Sequence, residues 1–265
     1  MKILFLGDIV GRPGRAVIKK ILPGVIAQKK PDLVIANAEN MAGGKGVNRK
    51  TVLEMMAAGI DCFTGGNHTF AILPDALELF KKDDLPVLRP ANFPPGTPGQ
   101  GWRIITSKKG SRLLVISVLG RIFMPQHVDC PFRTVEHILQ TVAKDSYDAC
   151  LIDFHAEATS EKQALRWAFD GQVTAVIGTH THIPTADAEI SPAGTSFQAD
   201  AGMNGSLDSC IGVDKDIIIR KLKTLMPVTH VLVDTGRMQF NGVFVEIDPR
   251  GKAKKIQHIR HVFTS

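Results

Sequence analysis

The sequence predicts an α/β fold in one domain spanning residues 1–265, with a strand-rich C-terminal third. Three observations carry this. Short runs rich in Val, Ile and Leu alternate with amphipathic stretches of helical period. The composition, 44% hydrophobic and 22% charged, is that of a globular chain able to bury a core. No repeat, low-complexity tract or linker divides the 265 residues, a length that one large domain can occupy.

Taken in order, KILFLGD is a strand that leads into a helix over residues 15–29, where Val17, Ile18, Ile21, Leu22, Val25 and Ile26 recur at helical spacing. Pro23 inside it predicts a kink or an early end. DLVIANAEN (32–40) is a second strand, followed by Gly-rich MAGGKGVN and a helix over 49–58. DCFTGGNH (61–68) is a third, followed by a helix over 73–82, and LPVLRPANF continues the pattern. Strands so continuously apolar, joined by helices, argue a sheet covered on both faces with substantial parallel content. GWRIITSKKGSRLLVISVLG reads as two strands about a Lys-Lys-Gly-Ser turn. A helix over 133–144, the strand DACLIDFHAE, a helix over 161–169 and the strand VTAVIGTHTH follow. THVLVDTG and FNGVFVEIDPRGKAKKIQHIRHV complete the strand-rich third, with Pro249-Arg250-Gly251 as a hairpin turn.

The formal charge of +6 suits an anionic ligand. The basic clusters at Lys29-Lys30, Lys81-Lys82, Lys108-Lys109 and Lys252 to Lys255 are short and scattered, and read as solvated surface. One Tyr and two Trp supply a poor stacking platform for single-stranded nucleic acid. Cys62, Cys130, Cys150 and Cys210 form no C-x-x-C pair, and Cys62 and Cys150 lie in apolar runs as small core residues. The first ten residues are broken by Asp8 and carry no cleavage-site pattern. No run reaches the roughly 20 apolar residues needed to cross a bilayer. A cytoplasmic protein without a membrane partner is expected.

The chemistry gathers at strand ends. The first apolar strand ends in Gly7-Asp8, the second in Asn37-Ala38-Glu39-Asn40, and the third in Gly65-Gly66-Asn67-His68. LIDFH ends at His155, and VIGTHTH ends at His180 and His182. Ligands of open α/β sheets bind outside the carboxyl ends of the strands, so these residues share one rim if the strands lie side by side. The set exceeds the four ligands of a single zinc. It suits two first-row metal ions that share a carboxylate and, about 3.5–4 Å apart, hold a bridging hydroxide and clamp a phosphoryl group. Mixed His, Asn and carboxylate donors fit Mn, Fe or Zn. His127, His137, His230, His258 and His261 follow no strand-end pattern and read as ordinary histidines.

These blocks resemble the calcineurin-like metallophosphoesterases, which carry an Asp after the first strand, a bridging carboxylate after the second, then G-N-H, a single His and G-H-x-H. LFLGDIVGRPGR, ANAENMAGGKG, TGGNH, IGTHTHIPTAD and DAGMNGSLDSCIG resemble one subgroup in particular, the bacterial YmdB-like 2′,3′-cyclic-nucleotide phosphodiesterases. The resemblance implies a layered fold with central β-sheets flanked by helices. Most of the superfamily has Asp-x-His after strand one, whereas Val10 stands at that His, and Glu39 followed by Asn40 replaces the usual Asp. The subgroup pattern implies that Asn40 supplies the missing ligand. It further implies Asp8, Glu39, Asn40 and His182 on one metal, and Glu39 as bridge with Asn67, His155 and His180 on the other. His68 would be the proton donor. Iron is the metal the resemblance implies, with Mn or Zn compatible with the donors. The implied activity opens 2′,3′-cyclic nucleotides to 3′-nucleotides, acting on small cyclic nucleotides or RNA-derived ends, in a homo-oligomer.

The residues leave other readings open. The same site could serve a phosphomonoesterase or a nuclease, although weak aromatic content and the lack of a long basic stripe count against a processive nuclease. A nucleotide-binding regulator without turnover is the alternative of another class. Yet GDIVGRPG is not G-x-G-x-x-G, and such a module leaves His155, His180 and His182 unexplained. No Ser or Thr follows Lys45, so MAGGKGVN is no P-loop. Its Gly43, Gly44 and Gly46 can let backbone amides approach phosphate or ribose. Asp200, Asn204 and Asp208 are further candidates for substrate contacts.

Overall fold

The computed structural model describes residues Met1–Ser265. In chain order its elements are β1 (Lys2–Leu6), β2 (Asp8–Ile9), α1 (Gly11–Lys29), β3 (Leu33–Asn37), α2 (Arg49–Ala57), β4 (Cys62–Thr64) and α3 (Leu73–Lys82). A second group follows: β5 (Trp102–Thr106), β6 (Arg112–Leu119), α4 (Pro131–Thr141), β7 (Ala149–His155), α5 (Thr159–Ala168) and β8 (Ala175–Thr179). The chain closes with β9 (Glu189–Ile190), β10 (Ser196–Gln198), β11 (Met203–Ser206), α6 (Lys215–Thr224), β12 (Arg237–Ile247) and β13 (Ala253–Thr264).

Period-two alternation along the strands builds the layers. From β1, Leu4 and Leu6 pack with Val17, Ile18 and Leu22 of α1 and Met55 of α2 in an outer core. Ile3 and Phe5 point the other way, into a core shared with Leu113, Val115, Leu151 and Ile177. A third core sets Leu114, Ile116 and Ile152 against Val135 and Ile138 of α4 and Leu165 of α5. The order is therefore helices, sheet, sheet, helices.

The strands expected side by side thus belong to two facing sheets. The first has the order β2-β11-β12-β1-β3-β4, with β13 also on β12; the second has the order β5-β6-β7-β8-β10-β9. β1, β3 and β4 are mutually parallel, as are β6, β7, β8 and β10. Two sheets form because strands buried on both faces need a second apolar layer, and β6 to β8 supply it. The carboxyl ends of both parallel sets meet at one rim, so the convergence holds across the sheets rather than within one.

Three local expectations change. α1 runs unbroken to Lys29 although it contains Pro23, because Pro23 is exposed, where the carbonyl it leaves unpaired can meet water. It also starts earlier, at Gly11, whose N–H donates to the Asn40 carbonyl at 2.9 Å. LPVLRPANF makes only isolated bridges, Val87 to Phe63 and Leu88 to Gln100, since Pro86 and Pro90 cannot donate to a ladder. THVLVDTG likewise keeps one bridge, Leu232 to Val213, and the helix α6 before it, which buries none of its residues, is an element beyond those predicted. Both expected hairpins form, β5–β6 and β12–β13. No helix is long and apolar enough to cross a membrane.

Phe5 is fully buried between the sheets. Phe5→Ala should lower unfolding free energy by about 3–5 kcal/mol in urea titration. A loss below about 1 kcal/mol would show that the inter-sheet layer collapses around the cavity without cost.

Candidate metal centre

All eight residues expected at the site come together at the rim. Asp8 is delivered by the turn at Gly7, where a Cβ would stand 1.8 Å from the Gly202 carbonyl oxygen, so only glycine passes. Glu39 and Asn40 follow β3, Asn67 and His68 follow β4, His155 ends β7, and His180 and His182 follow β8. Asp8, Glu39, Asn40 and His155 are buried.

Two overlapping groups can be traced. His155 Nε2 lies 2.9 Å from Asn67 Oδ1, 3.0 Å from His180 Nδ1 and 3.2 Å from Glu39 Oε2. Potential ligand atoms of Glu39, His155 and His180 all lie within 4.8 Å of one another. In the other group, His182 Nε2 lies 3.7 Å from Asp8 Oδ1 and 3.2 Å from Asn40 Nδ2, and Asn40 Nδ2 donates to Glu39 Oε1 at 2.8 Å. Glu39 touches members of both. Asn40 could offer a metal its oxygen only with the amide turned over, because Oδ1 now faces His68 Nδ1 at 3.0 Å.

Each strand-end histidine has its outward nitrogen occupied, which fixes the nitrogen left over. Thr179 Oγ1 donates to Asp153 Oδ1 at 2.7 Å and accepts from His155 Nδ1 at 2.8 Å, leaving His155 Nε2 inward. His182 Nδ1 donates to the Ile211 carbonyl at 3.2 Å, leaving Nε2. His180 does the reverse: Nε2 meets Glu157 Oε2 at 3.2 Å, leaving Nδ1. One nitrogen of each imidazole thereby faces the buried cluster, free to bind a metal once it holds no proton.

The donor set fits metal ions on two observations. Asp8 Oδ1 is buried and accepts no hydrogen bond, an arrangement that costs free energy unless a cation meets it. At Gly66, a Cβ would stand 2.3 Å from Glu39 Oε2 and 2.6 Å from His155 Nε2, so the backbone is pressed against the donors. The electrostatics agree. Burial pushes the Asp8 carboxyl up despite His182 and His155. Burial also opposes ionisation of Glu39, but His155 and His68 outweigh it and hold the carboxyl well below its ordinary range. Burial disfavours a charged His155, yet Glu39, Asp8 and Asp153 push it up to about 9. Its neighbour His180 is driven down to about 3 by burial and by His155, since adjacent imidazoles do not both charge.

The supporting residues escaped the sequence reading. Asp153 lies two residues before His155 and so shares its face; it accepts from Asn37 Nδ2 at 2.9 Å and also holds Thr64 Oγ1. An aspartate in register with a strand-end histidine was the available signal. Lys162, which no sequence pattern singles out, is buried, donating to the Thr179 carbonyl at 2.9 Å and to Asp200 Oδ2 at 3.0 Å. Asp200 also accepts from Thr181 N at 3.0 Å and its hydroxyl at 2.8 Å. This pair clamps the Gly-Thr-His-Thr-His turn, where His180 and His182 have φ of 100° and 67°, values costly for residues with a side chain.

The proposed substrate contacts in 200–212 therefore need correction. Asp200 is this clamp, and Asn204 ties the Gly7 turn to β12 by donating to the Gly7 and Asn241 carbonyls at 3.0 and 3.2 Å. Asp208 pairs with Arg237 at 2.7 Å on the surface. The segment reaches the site through Cys210 and Ile211 instead, which line a cleft of about 490 Å³ with Val10, Asn40, His68 and His182.

A buried cluster of carboxylates, amides and imidazoles at the rim of two facing sheets, under an open cleft, defines a metal-dependent phosphoesterase class of site. A family model described as YmdB-like protein matches residues 4–259, and the chain belongs to that family, within the metallophosphoesterases. It is 44% identical over 262 residues to the 2′,3′-cyclic-nucleotide 2′-phosphodiesterase of Bacillus subtilis (strain 168), covering 98% of this chain and 96% of that one. A crystal structure of a hypothetical protein from Thermus thermophilus superposes with a TM-score of 0.91 at 37% identity, covering 99% of both chains. That of a novel phosphatase from Mycoplasma pneumoniae gives 0.91 at 34%, covering 99% of this chain and 93% of that one.

Gly66→Ala should abolish tight metal binding, read by elemental analysis, while circular dichroism stays native; retained metal would place the ions elsewhere. In chelator-treated protein, charged His155 stabilises the fold fully below about pH 6.5, and this is lost as pH rises through about 9. The melting midpoint of metal-free protein should therefore fall across that window, and His155→Gln should flatten the profile.

Proposed function

We propose that this protein hydrolyses 2′,3′-cyclic nucleotides to 3′-nucleotides at a dinuclear metal centre. The observation that carries the reading is Glu39, buried between two donor groups beside the unpartnered Asp8 Oδ1. The name and 44% identity of the Bacillus relative support the substrate class. Asp8, Glu39, Asn40 and His182 would hold one ion, and Glu39, Asn67, His155 and His180 the other. The nitrogen and oxygen donors suit iron, and equally Mn or Zn.

Metal ions held by these residues would supply Lewis-acid activation of water and neutralise charge at the phosphoryl oxygens. The chain supplies the rest. The rigid imidazoles fix the position of the centre beneath the cleft, and the glycine loop after β3 brings Gly44 to the cleft wall. Hydrolysis adds water oxygen to phosphorus, breaks the P–O2′ bond and requires a proton on O2′. His68 is suited to give it: it lines the cleft, 31% exposed, with Nδ1 engaged by Glu39 Oε1 at 3.1 Å. That leaves Nε2 facing the cleft, where the imidazolium form of His68 would carry the transferable proton.

A second reading, phosphomonoester hydrolysis, is favoured by the likeness to the Mycoplasma protein, which is described as a phosphatase. The two separate on assay of 2′,3′-cyclic AMP, 3′,5′-cyclic AMP, bis(p-nitrophenyl) phosphate and p-nitrophenyl phosphate, with and without chelator. Chelator-sensitive opening of the 2′,3′-cyclic substrate is expected, and turnover of the monoester alone overturns the diesterase reading. His68→Ala should lower kcat by about 10²–10⁴-fold with metal content retained. Asp8→Ala or Glu39→Ala should lose metal and activity together. Loss of metal in His68→Ala would make it a ligand.

A further inference from the structure

The cleft over the metal centre continues into a larger cavity of about 890 Å³, bounded by the glycine loop after β3, by Ala71 and Ile72, and by α6 with the chain after it. Gly44, Lys45, Val213, His230 and Leu232 line both spaces, so the two adjoin. Lys45, Lys221 and His230 face the outer cavity, and no Asp or Glu lines it. All three line that one cavity, and partial burial, then the charges of Lys221 and Lys45, hold the His230 imidazole below its ordinary value. The two lysine ammoniums of this carboxylate-free cavity favour an anion between them, and the His230 imidazole beside them can donate a hydrogen bond to it or take up a proton when it binds.

The identity of the anion follows from the phosphodiesterase reading, on which this inference rests. With the 2′,3′-phosphate at the metal centre, C5′ lies across the ribose ring from it, and the adjoining outer cavity offers space for a group extended from C5′. A phosphate on the 5′ oxygen is the anionic group a nucleotide can place there. We propose that Lys45, Lys221 and His230 form a subsite for a 5′-phosphate, so that the enzyme prefers 2′,3′-cyclic ends carrying one over cyclic nucleotides without. Two sources share this chemistry, a 5′-phosphorylated mononucleotide and the 3′ end of an RNA chain. His230, which follows no strand-end pattern in the sequence, thereby gains a role.

Calorimetric titration of metal-loaded protein with adenosine 3′-monophosphate and adenosine 3′,5′-bisphosphate tests the subsite without turnover. The bisphosphate should bind about tenfold more tightly. Lys221→Ala, on the exposed face of α6, should erase most of that advantage and leave the monophosphate affinity within about twofold. Lys45→Ala/Lys221→Ala should erase it fully. Equal affinities in the unaltered protein would overturn the proposal. In kinetics, 2′,3′-cyclic AMP is compared with its 5′-phosphorylated form and with an ApA dinucleotide ending in a 2′,3′-cyclic phosphate. A lower KM for the 5′-phosphorylated mononucleotide, the dinucleotide or both supports the subsite and assigns its source; no difference overturns it. If no cyclic substrate turns over while the bisphosphate still binds more tightly, the phosphodiesterase reading fails and the anion subsite stands.

Discussion

Two carboxylates, Asp8 and Glu39, are buried where two β-sheets meet, and the site is organised to keep them there. An isolated buried carboxylate is costly, and one without hydrogen bonds costlier still. Glu39 is held by Asn40, His68 and His155, whereas Asp8 Oδ1 accepts no hydrogen bond from the protein. The missing compensation is what a multivalent cation supplies. Stability is given up at this rim and returned when metal binds, which is how a binding site differs from an ordinary core.

The layers around the rim are the means of holding that arrangement. Alternating side chains of β1, β3, β6, β7 and β8 lock the two sheets face to face, so that strand ends from different sheets keep a fixed separation. The strained backbone at His180 and His182 persists because Lys162 and Asp200 clamp the turn from behind. Thr179 and Asp153 then set the tautomer of His155. Each donor atom is therefore positioned by a buried neighbour, and little reorganisation remains for ligand binding.

Much of this was legible in the sequence. Asp8, Glu39, Asn40, Asn67, His68, His155, His180 and His182 stand out because each follows an apolar run, a local pattern that residue order displays. The resemblance implied a layered fold with central β-sheets flanked by helices, and the structure has it; the runs by themselves did not show two sheets, because a strand buried on both faces reads the same whether its second layer is helix or sheet. Asp200 read as a candidate substrate contact and Lys162 not at all, since burial of a charged pair depends on partners distant in sequence. Pro23 was overweighted because its cost depends on which side of the helix meets water. The cluster of Lys45, Lys221 and His230 is likewise assembled only by folding.

Anomalous diffraction from crystals of the protein soaked with manganese tests the central claim most directly. The account predicts two peaks about 3.5–4 Å apart, with Glu39 between them and Asp8 beside one. A single peak, or two peaks that leave Asp8 Oδ1 without a cation, would contradict it.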